Sequence, residues 1–137
     1  MKMKIRNILL ALKDQGPPRR LLGNLKKEFP ELGDRKYELA GFGWHQGWND
    51  RINQAFNDEY EKNLACFIRD VRAELKAPEL PFVIAAMGQN GSKPAAGAML
   101  TIQKAQLAMN DVPEFKGNVK TFRTDVLVDK AAEELFP

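Results

Sequence analysis

The chain has 137 residues, 44% of them hydrophobic and 28% charged, with a net charge of +3. That length predicts one domain, and the composition is that of an ordinary soluble globular protein. Its apolar runs fall far short of the roughly 18 residues a membrane-spanning helix needs, so no membrane partner is expected. A secretory signal is not expected either. Arg6 and Asn7 interrupt the short run that ends at Leu12, and Lys13-Asp14-Gln15 stands where cleavage would need small residues. The lone cysteine, Cys66, rules out an internal disulfide; its place beside an apolar helical stripe suits a small helix residue better than a reactive thiol. The compartment stays open.

Charge is unevenly spread. Residues 1–36 hold ten Lys/Arg and four Asp/Glu, and the remainder holds eleven and fourteen. A basic arm for nucleic acid is one reading of residues 1–36. A solvated helical face is the better one. Asp14, Glu28, Glu31 and Asp34 break up the charge, and no aromatic stacking pattern accompanies it.

Taken in order, Ile5, Ile8, Leu9 and Leu12 predict a short helix over residues 3–13, stopped at Gly16-Pro17-Pro18. A second helix is expected from Arg19 to Phe29. Tyr37 to Trp44 reads as a strand whose glycines allow close backbone approach. After a polar connection, Tyr60, Leu64, Phe67, Ile68, Val71 and Leu75 form a stripe at helical spacing. Asn57 is the expected N-cap, Arg72 falls among the polar residues, and Pro78 ends the helix. The apolar run Leu80–Met87 reads as a strand buried on both faces, as in a parallel sheet covered by helices. Residues 95–109 read as a helix with Ala98, Ile102, Ala105 and Met109 on one side. Asn118–Phe122 reads as a third strand, and residues 126–136 are ambiguous.

The order βαβαβ predicts an α/β fold with a parallel sheet in a three-layer α/β/α sandwich. Ligands bind such sheets beside the loops that follow the strands. Those loops are His45–Asp50 and Gly88–Ser92, which should share one edge.

The first of them holds His45, Gln46, Gly47, Trp48, Asn49 and Asp50, and Trp44 at the strand end just before it brings both tryptophans and the only histidine together. Trp44, Trp48 and Phe56 suit an aromatic wall for a sugar ring, although Trp44 could equally pack beneath the turn. The amide of Gln46 can donate to a developing oxyanion. A triad of Ser92, His45 and Asp50 is weaker, because Ser92, the only serine, sits in a loop without a strained elbow. No metal-ligand spacing and no phosphate-binding glycine loop occur, so no cofactor or metal is expected.

Phe42 to Asp50 resembles the Trp-x-Gln-Gly block of carbohydrate esterases in the sialate O-acetylesterase and acetyl-xylan-esterase-like group, within the SGNH hydrolases. The helix and strand that follow, and Pro113–Val119, are similar as well. The resemblance runs from about Tyr37 to Phe122. It implies acetylated carbohydrate as substrate and hydrolysis by a serine nucleophile with a histidine base. It also implies an oxyanion-hole role for Gln46, with Trp44, Trp48, Asn49 and Asp50 at the substrate. Trp48 stands where many relatives carry an acid. The family's Gly-Gln-Ser nucleophile motif and Asp-x-x-His base motif have no counterpart in this sequence. The expectation is therefore an incomplete esterase domain over residues 37–137, preceded by a basic helical leader over 1–36. It would have negligible activity alone and a sheet edge open to self-association. A non-catalytic glycan-binding module using Trp44 and Trp48 is the alternative.

Overall fold

The computed structural model describes residues 3–4, 23–34, 37–88, 91 and 93–127. Its main body is a parallel three-stranded sheet of β3 (Phe42–Trp44), β4 (Phe82–Ala86) and β5 (Val119–Arg123), in that spatial order. Phe42 pairs with Phe82, and Phe82 with Val119. Helix α2 (Gln54–Glu74) joins β3 to β4, and α3 (Gly97–Ala108) joins β4 to β5. The α/β class and the parallel sheet are thus as the sequence predicts.

Upstream, β1 (Met3–Lys4) pairs in parallel with β2 (Tyr37–Glu38), and α1 (Leu25–Glu28) is a single turn. Three expectations change here. Met3 and Lys4 are extended, not helical; they precede the apolar spacing that signals a helix, and residues 5–22 lie outside those described. The helix expected to reach Phe29 ends at Glu28, and a 3-10 turn, Pro30–Leu32, follows. The strand expected over Tyr37–Trp44 is two short strands in different sheets. Between them Gly41 lies against Pro81, and a Cβ there would sit 3.1 Å from the Pro81 carbonyl oxygen.

The α2 stripe does what its spacing predicts. Tyr60, Leu64 and Ile68 are buried against Phe82 and Ile84 of β4 and Ile102, Ala105 and Met109 of the α3 segment. Each large apolar side chain so buried contributes about 1.5–3 kcal/mol relative to exposure. Phe42 stacks on Phe82 with ring centres 4.8 Å apart, and Phe67 meets Phe42 edge-on at 5.7 Å.

The cap of α2 is Asn53, not Asn57. Asn53 has extended backbone, and its Oδ1 accepts from the main-chain N–H groups of Ala55 and Phe56. Two of the helix's orphan donors are satisfied that way. Asn57 lies one turn in, buried, and its Nδ2 donates to the Ala98 carbonyl at 2.9 Å. Arg72 also departs from its expected polar face. It is buried, with Nη2 donating to the Leu80 carbonyl and to Asn118 Oδ1 at 2.9 and 2.8 Å.

Burial of β4 on both faces does not hold among the described residues. Phe82, Ile84 and Ala86 are buried, whereas Val83 is 49% exposed. Helices α2 and α3 pack against each other and send their apolar residues into a single core with the inward face of β4.

Candidate functional site at the strand ends

β3 and β4 are adjacent and parallel, so the turn after Trp44 and the loop after Ala86 leave the sheet on the same edge. One side chain ties them together. Gln106, on the last turn of α3, has no exposed surface. Its Nε2 donates to the main-chain oxygen of Gln46 at 2.7 Å, and its Oε1 accepts from the main-chain N–H of Met87 at 2.8 Å. One turn earlier, Gln103 Nε2 donates to the Met87 carbonyl at 2.9 Å. The hydroxyl of Thr121, on β5, donates to the Gln106 carbonyl. Strand β5 and the loops that follow β3 and β4 therefore all meet this short stretch of α3.

The Tyr60 hydroxyl is a second clamp. It donates to the Gln46 main-chain oxygen at 2.7 Å and accepts from Gln106 Nε2 at 3.2 Å. Trp44 Nε1 donates to the Tyr60 hydroxyl oxygen at 3.4 Å. Burial pushes the Tyr60 pKa up, so the phenol is neutral. The carbonyl of Gln46 is thus held from two sides by groups rooted in two helices.

Gly47 is buried with φ 147°, and a Cβ there would fall 2.7 Å from Met87 Sδ and 2.8 Å from Ile102 Cγ2. Only glycine lets the turn lie so close to the second loop. The next residues swing outward. Trp48 is 46% exposed, Asn49 is exposed, and Asp50 begins a 3-10 turn, Asp50–Ile52.

The Gln46 side chain is half-buried, and its Nε2 donates to Asp50 Oδ2. A primary amide has two N–H donors. Asp50 occupies one and fixes the plane of the amide; among the described residues the other has no protein acceptor.

Trp44 is half-buried, with its ring 4.4 Å from that of Phe67, so it belongs largely to the packing beneath the turn. His45 is exposed. Ser92 lies outside the described residues. Phe56 is 56% exposed on the first turn of α2. Cys66 is exposed and free.

The sequence reading missed Gln106, Gln103 and the Tyr60 hydroxyl as polar supports. The glutamines left a trace: polar residues among Ile102, Ala105 and Met109 at spacings that share a buried side. Among the described residues no group of His, Cys, Asp and Glu could hold a metal ion, and no helix is long and apolar enough to cross a membrane.

Comparison with known proteins adds to this geometry. A crystal structure of a protein from Arabidopsis thaliana is similar in fold, with a TM-score of 0.53 and 22% sequence identity. The match covers 76% of this chain and 40% of that one, so the chain spans well under half the length of that protein. No curated protein matches. The sequence model described as "SASA: Carbohydrate esterase, sialic acid-specific acetylesterase" matches residues 19–132, which include the clamped turn, both crossover helices and all three strands of the main sheet. The chain belongs to this carbohydrate esterase family.

Proposed function

We propose that this chain supplies the oxyanion side and part of the sugar wall for hydrolysis of acetyl esters on carbohydrate. The supporting observation is the preparation of Gln46. Its main chain is held by Tyr60 and Gln106, and its amide is oriented by Asp50 with one N–H to spare. A donor fixed before the reaction stabilises a developing oxyanion without reorganising. Trp48 and Asn49, both exposed beside it, are the sugar contacts in this reading, with Trp44 backing the turn. In the acyl-enzyme route, a serine oxygen attacks the acetyl carbon and the sugar hydroxyl leaves with a proton from the histidine. The sequence has no Gly-Gln-Ser or Asp-x-x-His motif. The chain alone therefore has negligible turnover on an aryl acetate. Robust turnover that disappears in Ser92→Ala would overturn this reading in favour of a Ser92–His45 pair.

A second reading is binding of a glycan without chemistry. The exposure of Trp48 favours it, since indole surface not covered by Arg51 can stack on a sugar ring. Sugar binding without hydrolysis, lost in Trp48→Ala, would select it. In either reading β3 and β5, the outer strands of the three-stranded sheet, offer edges for a second copy. A mass measured in solution at rising concentration tests that.

A further inference from the structure

The 3-10 turn after Asn49 presents a cation that nothing in the described structure neutralises. The Arg51 guanidinium carbon lies 3.6 Å from the centre of the Trp48 ring, stacked over its face. Arg51 Nε is buried and has no hydrogen-bond partner. Among the described residues Arg51 makes no ion pair. Asp50, its neighbour in sequence, is the nearest candidate along the chain, yet its carboxylate is turned to Gln46. A buried donor left without a partner is costly, and more so when it belongs to a charged group. Stacking on an indole offsets only part of such a cost. Stacking also holds the planar fork in one orientation, so little side-chain entropy remains to be lost on binding an anion.

We propose that Arg51, held flat by Trp48, is a specificity-determining residue that takes the carboxylate of an acidic sugar in the substrate wall of this site. This rests on the reading that the turn contacts sugar, and it assigns the charge selection to one side chain. A guanidinium matches a carboxylate with two parallel N–H···O bonds, which a neutral sugar cannot return. The carboxylate could belong to a sialic acid or to a uronic acid.

The test compares each acid with its own methyl ester, which removes the charge and keeps the ring. Binding of N-acetylneuraminic acid, glucuronic acid and their two methyl esters to the full chain is measured by NMR titration. The wild type is expected to bind at least one acid about 10-fold or more tightly than its ester. Which acid shows the preference identifies the sugar. Arg51→Met is expected to bring the acid-to-ester affinity ratio to about 1, because only the acid returns paired bonds to the fork. Arg51→Lys, which keeps the charge without the fork, is expected to retain only part of it. Equal binding of acid and ester by the wild type overturns the proposal without any variant. So does a preference that survives in a folded Arg51→Met. Failure of all four sugars to bind overturns the sugar-wall reading, and this inference with it.

Discussion

The buried amide of Gln106 donates to the main-chain oxygen of Gln46, sixty residues away in sequence, at 2.7 Å. Its other end receives the N–H of Met87. Gln106→Leu keeps most of the volume and removes these two bonds together with the one to the Tyr60 hydroxyl. It leaves the Met87 N–H unpaired in a dry site, at a cost on the order of 2–4 kcal/mol. Urea denaturation should show the midpoint falling by the corresponding amount with an unchanged slope. A shift below about 0.5 kcal/mol would mean that water replaces the amide.

Tyr60→Phe isolates the second clamp. The ring remains in the core, and only the hydroxyl between Trp44, Gln46 and Gln106 is lost. A loss of about 1–2 kcal/mol is expected. The pH dependence has a definite sign. The phenol's pKa is raised by burial above the ordinary 10.0, so the folded state holds the proton more tightly than the unfolded chain. Its contribution is complete below the ordinary value and is lost as pH rises from there through the folded value. Stability curves of wild type and Tyr60→Phe should therefore converge in alkali. Parallel curves would contradict this.

Gly47→Ala places a methyl group within contact-forbidden distance of Met87 and Ile102 at a φ that side chains rarely adopt. Strain and displacement together should cost roughly 2–4 kcal/mol. The Met87 and Ile102 methyl resonances are expected to move, along with the midpoint of thermal unfolding.

Asp50→Ala should barely change stability, because Asp50 lies in a short surface turn whose main interaction is with Gln46. It should release the Gln46 amide. In the wild type, the two Nε2 protons are expected at well-separated chemical shifts, with one protected from exchange. In the variant they should collapse towards the values of a free glutamine. Unchanged shifts would remove Asp50 as the orienting group.

Much of this arrangement was legible in the sequence. The stripe from Tyr60 to Leu75 gave α2, because its periodicity reports which side faces a core. The run from Leu80 to Met87 identified β4, and alternation of strands and helices placed both loops on one edge. What escaped depended on long-range partners. Asn53 and Asn57 are both reasonable caps by residue type; burial of Asn57 against Ala98 decides between them. Arg72 looks like a surface residue until the Leu80 carbonyl and Asn118 are brought to it by β4 and β5. Gln46 stood out within its motif, but its support did not. Gln106 reads as one more polar position on a helix, and its partners lie in two loops that only the folded sheet brings together. Burial of Val83 failed because an unbroken apolar run cannot say how many of its faces have helices on them.

The grip of Gln106 on both loops has a mechanical consequence. A glutamine amide is a rod of fixed length with a donor at one tip and an acceptor at the other. Seated between the carbonyl of Gln46 and the N–H of Met87, it sets the spacing of the two loops from behind. Were α3 to slip by one residue along its axis, Ala105 or Leu107 would face the gap and neither could span it. The spacing of the two loops is therefore set by the register of a helix whose grip on the turn is a fully buried amide.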